Sequence, residues 1–208
     1  MPRISALKAQ KRKNRVNVFI DGVFSFGLDL DNVLLNSLKV GKEISEEEIL
    51  KLKDSGEYAK MYDKLLRFLG VRPRSEKEIK DYFKRKNAPP QYQEKMLSKL
   101  IDLNFVNDKE FAEWWTRQRL EFKNKPKKII KMELIQKGIA RDVVEDVLNS
   151  FEVDEGVQIK KHLEKIKDRW KGKDPADRKK KYVEYLLRRG YSWEKIKDYV
   201  KLEENELC

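Results

Sequence analysis

The chain has 208 residues, 40% charged and 39% hydrophobic, and its 48 Lys and Arg outnumber 36 Asp and Glu for a formal net charge of +12. That is little apolar matter for one thick core, so a thin, elongated stack of small helical units fits the composition better. The single cysteine, Cys208, is the last residue, which excludes an intrachain disulfide, and Lys, Arg or Glu interrupt every apolar run too often for a membrane span.

The positive balance predicts attraction to a polyanion such as nucleic acid, or to an acidic protein groove. The basic stretch Met1 to Arg15 lacks the apolar segment of a signal peptide, so a cytoplasmic protein is expected.

Residues Arg15 to Ser45 carry strand signals. Val16, Val18 and Ile20 alternate with Asn17 and Phe19, Asp21-Gly22 intervenes, and Val23-Phe24-Ser25-Phe26 continues the β-prone run. Asp-Gly between two such runs predicts a hairpin, because a type I′ turn needs positive φ at both central residues. A short helix is expected over Asp29 to Asn36 and a brief extended return over Leu38 to Glu43, with Gly27 and Gly41 as turn residues. Ser45 with Glu48 has the form of a capping box, which opens a helix to about Lys53. Asp54-Ser55-Gly56 then reads as a break before a new helix bearing Tyr58, Met61, Tyr62, Leu65, Leu66 and Leu69 on one stripe, ended by Gly70.

From there a motif recurs three times: an apolar-periodic helix, a basic residue followed by Asn or Gly, a turn, and a second apolar-periodic helix. The copies read Ile79, Phe83, Lys86-Asn87, Tyr92, Met96, Leu97; Ile130, Leu134, Lys137-Gly138, Val143, Val147, Leu148; and Tyr182, Leu186, Arg189-Gly190, Lys195, Tyr199, Val200. Counted from Asn87, Gly138 and Gly190, apolar residues stand at offsets nine and ten in every copy, while at offset five the third has Lys195 and is expected to use Ile196. Ser75 with Glu78 predicts a second capping box, Asn87 a left-handed helix end, and Pro89-Pro90 and Pro126 helix starts. The second unit places Phe111, Trp114, Trp115 and Gln118 on its first helix. The third places Ile159, Leu163, Ile166 and Trp170 along one stripe, with Asp174-Pro175 and Ser192 as helix starts. The predicted fold is mostly α, an N-terminal extension with a β-hairpin over 1–55 and three-helix repeats over 56–107, 108–153 and 154–208.

Catalytic signals are sparse. His162 is the one histidine, with no second His or nearby Cys to complete a metal site of common type. Glu46-Glu47-Glu48 favour a helix N-terminus through its dipole, and no phosphate loop, Gly-x-Ser-x-Gly elbow or His-Glu-x-x-His helix is present. Neither an enzyme nor a bound metal or cofactor is expected.

Basic clusters recur at matched places: Arg72, Arg74, Lys77, Lys80, Lys84, Arg85 and Lys86; then Arg117, Arg119, Lys123, Lys125, Lys127, Lys128 and Lys131; then Arg169, Lys171, Lys173 and Arg178 to Lys181. Stacked with a regular rotation, they would make a discontinuous positive stripe able to track phosphates or an acidic groove on a protein polymer. The plainer reading is solvated helix faces, some balanced by i,i+4 partners such as Glu76 and Lys80. A helix-turn-helix reading is weakened because Tyr92 to Leu103 offers few Arg, Asn or Gln for base contacts.

The chain resembles the RecX regulatory proteins of bacteria. The resemblance rests on Arg72-Pro73-Arg74-Ser75-Glu76-Lys77-Glu78, Phe105-Val106-Asn107-Asp108-Lys109-Glu110-Phe111-Ala112, Leu134-Ile135-Gln136-Lys137-Gly138-Ile139 and Arg189-Gly190-Tyr191-Ser192-Trp193. It extends to Arg15-Val16-Asn17-Val18-Phe19-Ile20-Asp21-Gly22, which is similar to the N-terminal extension of longer members. It departs at Pro89-Pro90, in place of an acidic helix start, and at Ala140-Arg141, which lacks a capping residue. The resemblance implies a modulator of the RecA recombinase that binds its filament on single-stranded DNA and suppresses ATPase, strand-exchange and co-protease activities. Charge placement in mid-array selects Arg72, Arg74, Lys84, Arg85, Arg117, Arg119, Lys127, Lys128 and Lys131 for filament and phosphate contacts. Direct DNA contact is expected to be weak, and no long heptad seam is present, so a monomer is expected. The alternatives are a nucleic-acid-binding protein acting without RecA and a scaffold for another helical protein.

Overall fold

A computed structural model describes residues 1–11 and 14–205, with side chains through Tyr199; Cys208 and the side chain of Val200 lie outside the described residues. Two compact units divide the chain, one from Met1–Arg72 with Phe83–Lys99, the other from Pro73–Tyr82 with the chain from Leu100 onward.

In the first unit β1 (Ile4–Ala9), β2 (Arg15–Ile20) and β3 (Val23–Asp29) form an antiparallel sheet in the order β1-β2-β3. The hairpin forms where Asp21-Gly22 places it, with φ of 48° and 85° at the two turn residues. Strand β1 was not expected. Of its six residues only Ile4 is buried, so it shows no alternation, and its pairing with β2 supplies what its own sequence does not signal. Helix α1 (Leu30–Leu35) starts at Asp29, whose carboxylate accepts from the Asn32 N–H. The return after it is a turn at Gly41, φ 88°, and makes one isolated bridge between Glu43 and Arg3 instead of a strand.

Helix α2 (Glu46–Leu69) opens with the full Ser45–Glu48 capping box and runs unbroken for 24 residues. The expected break at Asp54-Ser55-Gly56 is absent, and Gly27 lies within β3 instead of a turn. The two corrections share a cause, since a Cβ on Gly56 would stand 2.3 Å from the Gly27 carbonyl oxygen. Gly56 therefore lets the helix lie directly on the strand. Val16, Val18, Phe26, Leu28, Val33, Ile44 and Leu52 fill the core between sheet and helices. Helix α4 (Pro90–Asp102), which belongs to this unit as far as Lys99, begins at Pro90 as expected, and Tyr92 donates to the Asp54 carbonyl at 3.0 Å. Between them α3 (Glu76–Arg85) begins in the second unit and ends in the first, and Asn87 follows it with φ 48°.

The second unit contains two further three-helix groups. The first is α5 (Asp108–Lys123), α6 (Lys127–Gln136) and α7 (Arg141–Ser150), around Phe111, Trp115, Ile130, Leu134, Val144 and Val147. The other is α8 (Glu155–Ile166) with a 3₁₀ turn over Lys167–Trp170, α9 (Pro175–Arg188) and α10 (Trp193–Asn205), around Ile159, Leu163, Tyr182, Leu186, Tyr191 and Ile196. Ile196 is fully buried and Lys195 exposed, as the shifted offset predicted. Gly138 and Gly190 hold φ of 86° and 92° at the matched helix ends. Ala140 makes no side-chain cap bond, so α7 begins without one.

Candidate functional site

Arg117 and Arg119 stand two positions apart on α5, which turns their side chains about 200° from one another. Arg117 is exposed and carries no ion pair among the described residues. Arg119 turns inward: its guanidinium lies 3.9 Å over the Trp115 ring and its Nε donates to Glu133 Oε2 at 2.7 Å. Trp115 Nε1 donates to the same oxygen at 2.8 Å, and Lys125 Nζ pairs with the other. Burial pushes the Glu133 carboxyl up, but the bonds from Lys125, Arg119 and Trp115 outweigh it and leave it below its ordinary value.

Lys127 and Lys128 begin α6 and have no ion pair among the described residues, whereas Lys131, one turn on, is ion-paired with Glu145 of α7. Lys127 is half-buried at the mouth of a cleft that Asp154, Gly156 and Tyr199 also line. Of the five selected cations on α5 and α6, the fold keeps Arg117, Lys127 and Lys128 available and commits Arg119 and Lys131 to carboxylates.

At the start of α3, sequence reasoning missed a set of contacts with the end of α6. The Ser75 hydroxyl donates to the Lys137 carbonyl at 2.8 Å, Lys77 Nζ donates to the Gln136 carbonyl at 2.8 Å, and Lys137 Nζ pairs with Glu78. The carbonyls left open at the helix end are thus met by residues far away in sequence. Ser75 also accepts from the Glu78 N–H, as the capping pattern predicts. The N–H of Glu76 donates to Asp108 at 2.8 Å; burial raises that carboxyl, and the bond only partly offsets it. Such long-range partners leave no periodic trace in one sequence. Arg74, half-buried, precedes these residues and has interactions of its own.

In the first unit Arg72 follows α2 and is half-buried, with interactions of its own. Lys84 and Arg85 occupy the last turn of α3, where a cation complements the helix dipole, and Arg85 lies 5.9 Å from the Phe68 ring centre. His162 is buried on α8, and its Nε2 lies 3.1 Å from the Asn124 carbonyl. The carbonyl can only accept, so Nε2 carries the proton. Among the described residues no group of three or more His, Cys, Asp or Glu could hold a metal ion, and no helix is long and apolar enough to cross a membrane.

Comparison with known proteins places this architecture. The RecX N-terminal domain matches residues 2–45, and the first, second and third RecX three-helix domains match 62–100, 107–148 and 154–200. The regulatory protein RecX of Bacillus velezensis is 32% identical over 94% of this chain and 75% of its own length. That of Bacillus subtilis is 30% identical over 99% and 80%. A crystal structure of regulatory protein RecX superposes with a TM-score of 0.68 at 27% identity, covering 97% of this chain and 99% of the other. The RecX of Lactobacillus salivarius gives 0.59 at 28% identity over 73% and 97%. The chain belongs to the RecX family of regulatory proteins.

Proposed function

We propose that the protein is a non-enzymatic negative regulator that binds the RecA filament on single-stranded DNA. In this reading it suppresses ATPase, strand-exchange and co-protease activities and acts as a cytoplasmic monomer. The observation that carries the reading is the order of four RecX domains along the chain, an N-terminal domain followed by the three three-helix domains. A series of small units supports it physically, because linked weak contacts on a repeating polymer add through effective concentration. The proposed repeats are those of 56–107, 108–153 and 154–208 behind an extension over 1–55.

The proposed contact set is Arg72, Arg74, Lys84, Arg85, Arg117, Arg119, Lys127, Lys128 and Lys131. Within it Lys84, Arg85, Arg117 and Lys128 are exposed, and Arg72, Arg74, Arg119, Lys127 and Lys131 are half-buried. Arg119 and Lys131 would have to exchange their carboxylate partners for a phosphate or an acidic side chain. The combined variant Arg117→Glu, Lys127→Glu, Lys128→Glu tests the assignment. It should raise the concentration needed for half-inhibition of RecA at physiological salt by at least about tenfold, or about 1.4 kcal/mol. Unchanged inhibition would remove these residues from the interface.

The net charge of +12 favours a second reading, a nucleic-acid binder acting without RecA. Binding of that kind weakens steeply with salt and needs no recombinase.

A further inference from the structure

Within the first unit, β3 and the middle of α2 border a groove of about 590 Å³ whose walls differ in chemistry. The helix side presents Lys53, Lys60, Lys64 and Arg67. The last three are spaced i, i+4, i+7 on one face, and Lys53 stands two turns earlier, so the row extends about 21 Å at 1.5 Å per residue. Glu57 and Asp63 also line the groove, but the four cations outnumber them, and Arg15 adds a fifth.

Arg15 lies on the strand side. Its Nη2 donates to the carbonyls of Gly27 at 2.9 Å and Gly56 at 3.0 Å, while its Nη1 is buried with no acceptor. No carboxylate is ion-paired with this guanidinium among the described residues, nor with Lys53, Lys60, Lys64 or Arg67. The surplus positive charge in the groove is therefore not consumed by the fold, unlike that of Arg119 or Lys131.

The strand side also carries Phe24, 54% exposed at the hairpin, its ring held edge-on by Phe19 at 5.8 Å. A large exposed aromatic ring fixed beside a row of unpaired cations suits an extended anion with flat apolar groups. A run of Asp and Glu alone would use the cations and leave the ring idle. A mononucleotide is short against the row, and a duplex keeps its bases stacked away from a side-chain ring. Single strands offer both splayed bases and a phosphate at each step.

We propose that this groove binds a single strand of nucleic acid, its phosphates along Lys60, Lys64 and Arg67 and one base against Phe24. The site shares no residue with the contact set above. It rests on the strand-contact part of the reading above and on nothing in the RecA part.

The test uses the full chain without RecA and an oligodeoxythymidine bearing 5-iodouracil. Photocrosslinking followed by peptide mapping should mark Phe24. Phe24→Ala should remove that product and weaken binding at least about fivefold. The combined variant Lys60→Ala, Lys64→Ala, Arg67→Ala changes exposed residues only. It should lower the slope of log affinity against log salt by about 2, at about 0.7 per lost phosphate contact. A charge-matched control, Lys109→Ala, Lys161→Ala, Lys197→Ala, should keep the Phe24 crosslink and change the slope by less than half as much. Crosslinks only at other sites, no crosslink at all, or equal slope losses in the two triple variants would overturn the proposal. RecA inhibition, measured separately, distinguishes a failure here from a failure of the regulatory reading.

Discussion

The carbonyl oxygen of Gly27 lies 2.3 Å from the place a Cβ on Gly56 would occupy, so helix α2 rests on strand β3 at a backbone-to-backbone contact. In an exposed helix, Gly→Ala stabilises by up to about 1 kcal/mol. Here the methyl group meets backbone that cannot swing aside. Gly56→Ala is expected to destabilise the protein by about 1–3 kcal/mol, the range of an overpacked core. Urea unfolding of the two proteins checks it, and a stabilised variant would deny the close contact.

The Asn124 carbonyl accepts from Tyr191 Oη at 2.6 Å and lies 3.1 Å from His162 Nε2, joining the loop after α5 to the third three-helix group. Burial holds the His162 pKa below its ordinary 6.5, the Asn124 bond opposes this, and Arg189 and Lys165 lower it further. The folded state thus binds the proton more weakly than the unfolded chain. The stability this supplies is complete above about pH 6.5 and is lost as pH falls toward the folded-state value. The thermal midpoint should fall between pH 7 and pH 5, and His162→Phe should flatten that fall.

Glu133 gathers Trp115, Arg119 and Lys125, with side-chain exposures of 20% for Glu133 and 25% for Arg119. Glu133→Gln removes the charge on which all three donors converge and is expected to cost about 1–3 kcal/mol at pH 7. Because the folded-state pKa is lowered, this stability is present above the ordinary 4.5 and disappears as pH falls through the folded value. Unfolding curves of variant and parent should therefore converge in acid. A constant gap down to pH 3 would refute the role.

Gly190 combines φ of 92° with a hypothetical Cβ only 2.3 Å from Ile129 Cγ1. Gly190→Ala therefore faces both backbone strain and a clash, and a loss above about 1 kcal/mol is expected. The double variant Gly190→Ala, Ile129→Ala should recover only the part due to the clash, as denaturant midpoints would show.

Much of this architecture was legible because local rules agreed with it. The Asp21-Gly22 turn, the Ser45–Glu48 box and the left-handed residues Asn87, Gly138 and Gly190 each have a short-range cause, and each appears where expected. What failed was set by distant partners. Strand β1 exists through its pairing with β2, and Gly56 reads as a helix breaker until the backbone it touches is known. The basic clusters were visible as composition, but only the fold separates exposed Arg117 from Arg119, which Glu133 and Trp115 hold.

The central claim is regulation of the RecA filament, and RecA's single-strand-dependent ATP hydrolysis, titrated with this protein beside a binding titration on the same DNA alone, tests it most directly. The account predicts inhibition at concentrations well below those that coat the bare strand. Inhibition appearing only as the DNA itself saturates, or none at all, would contradict it.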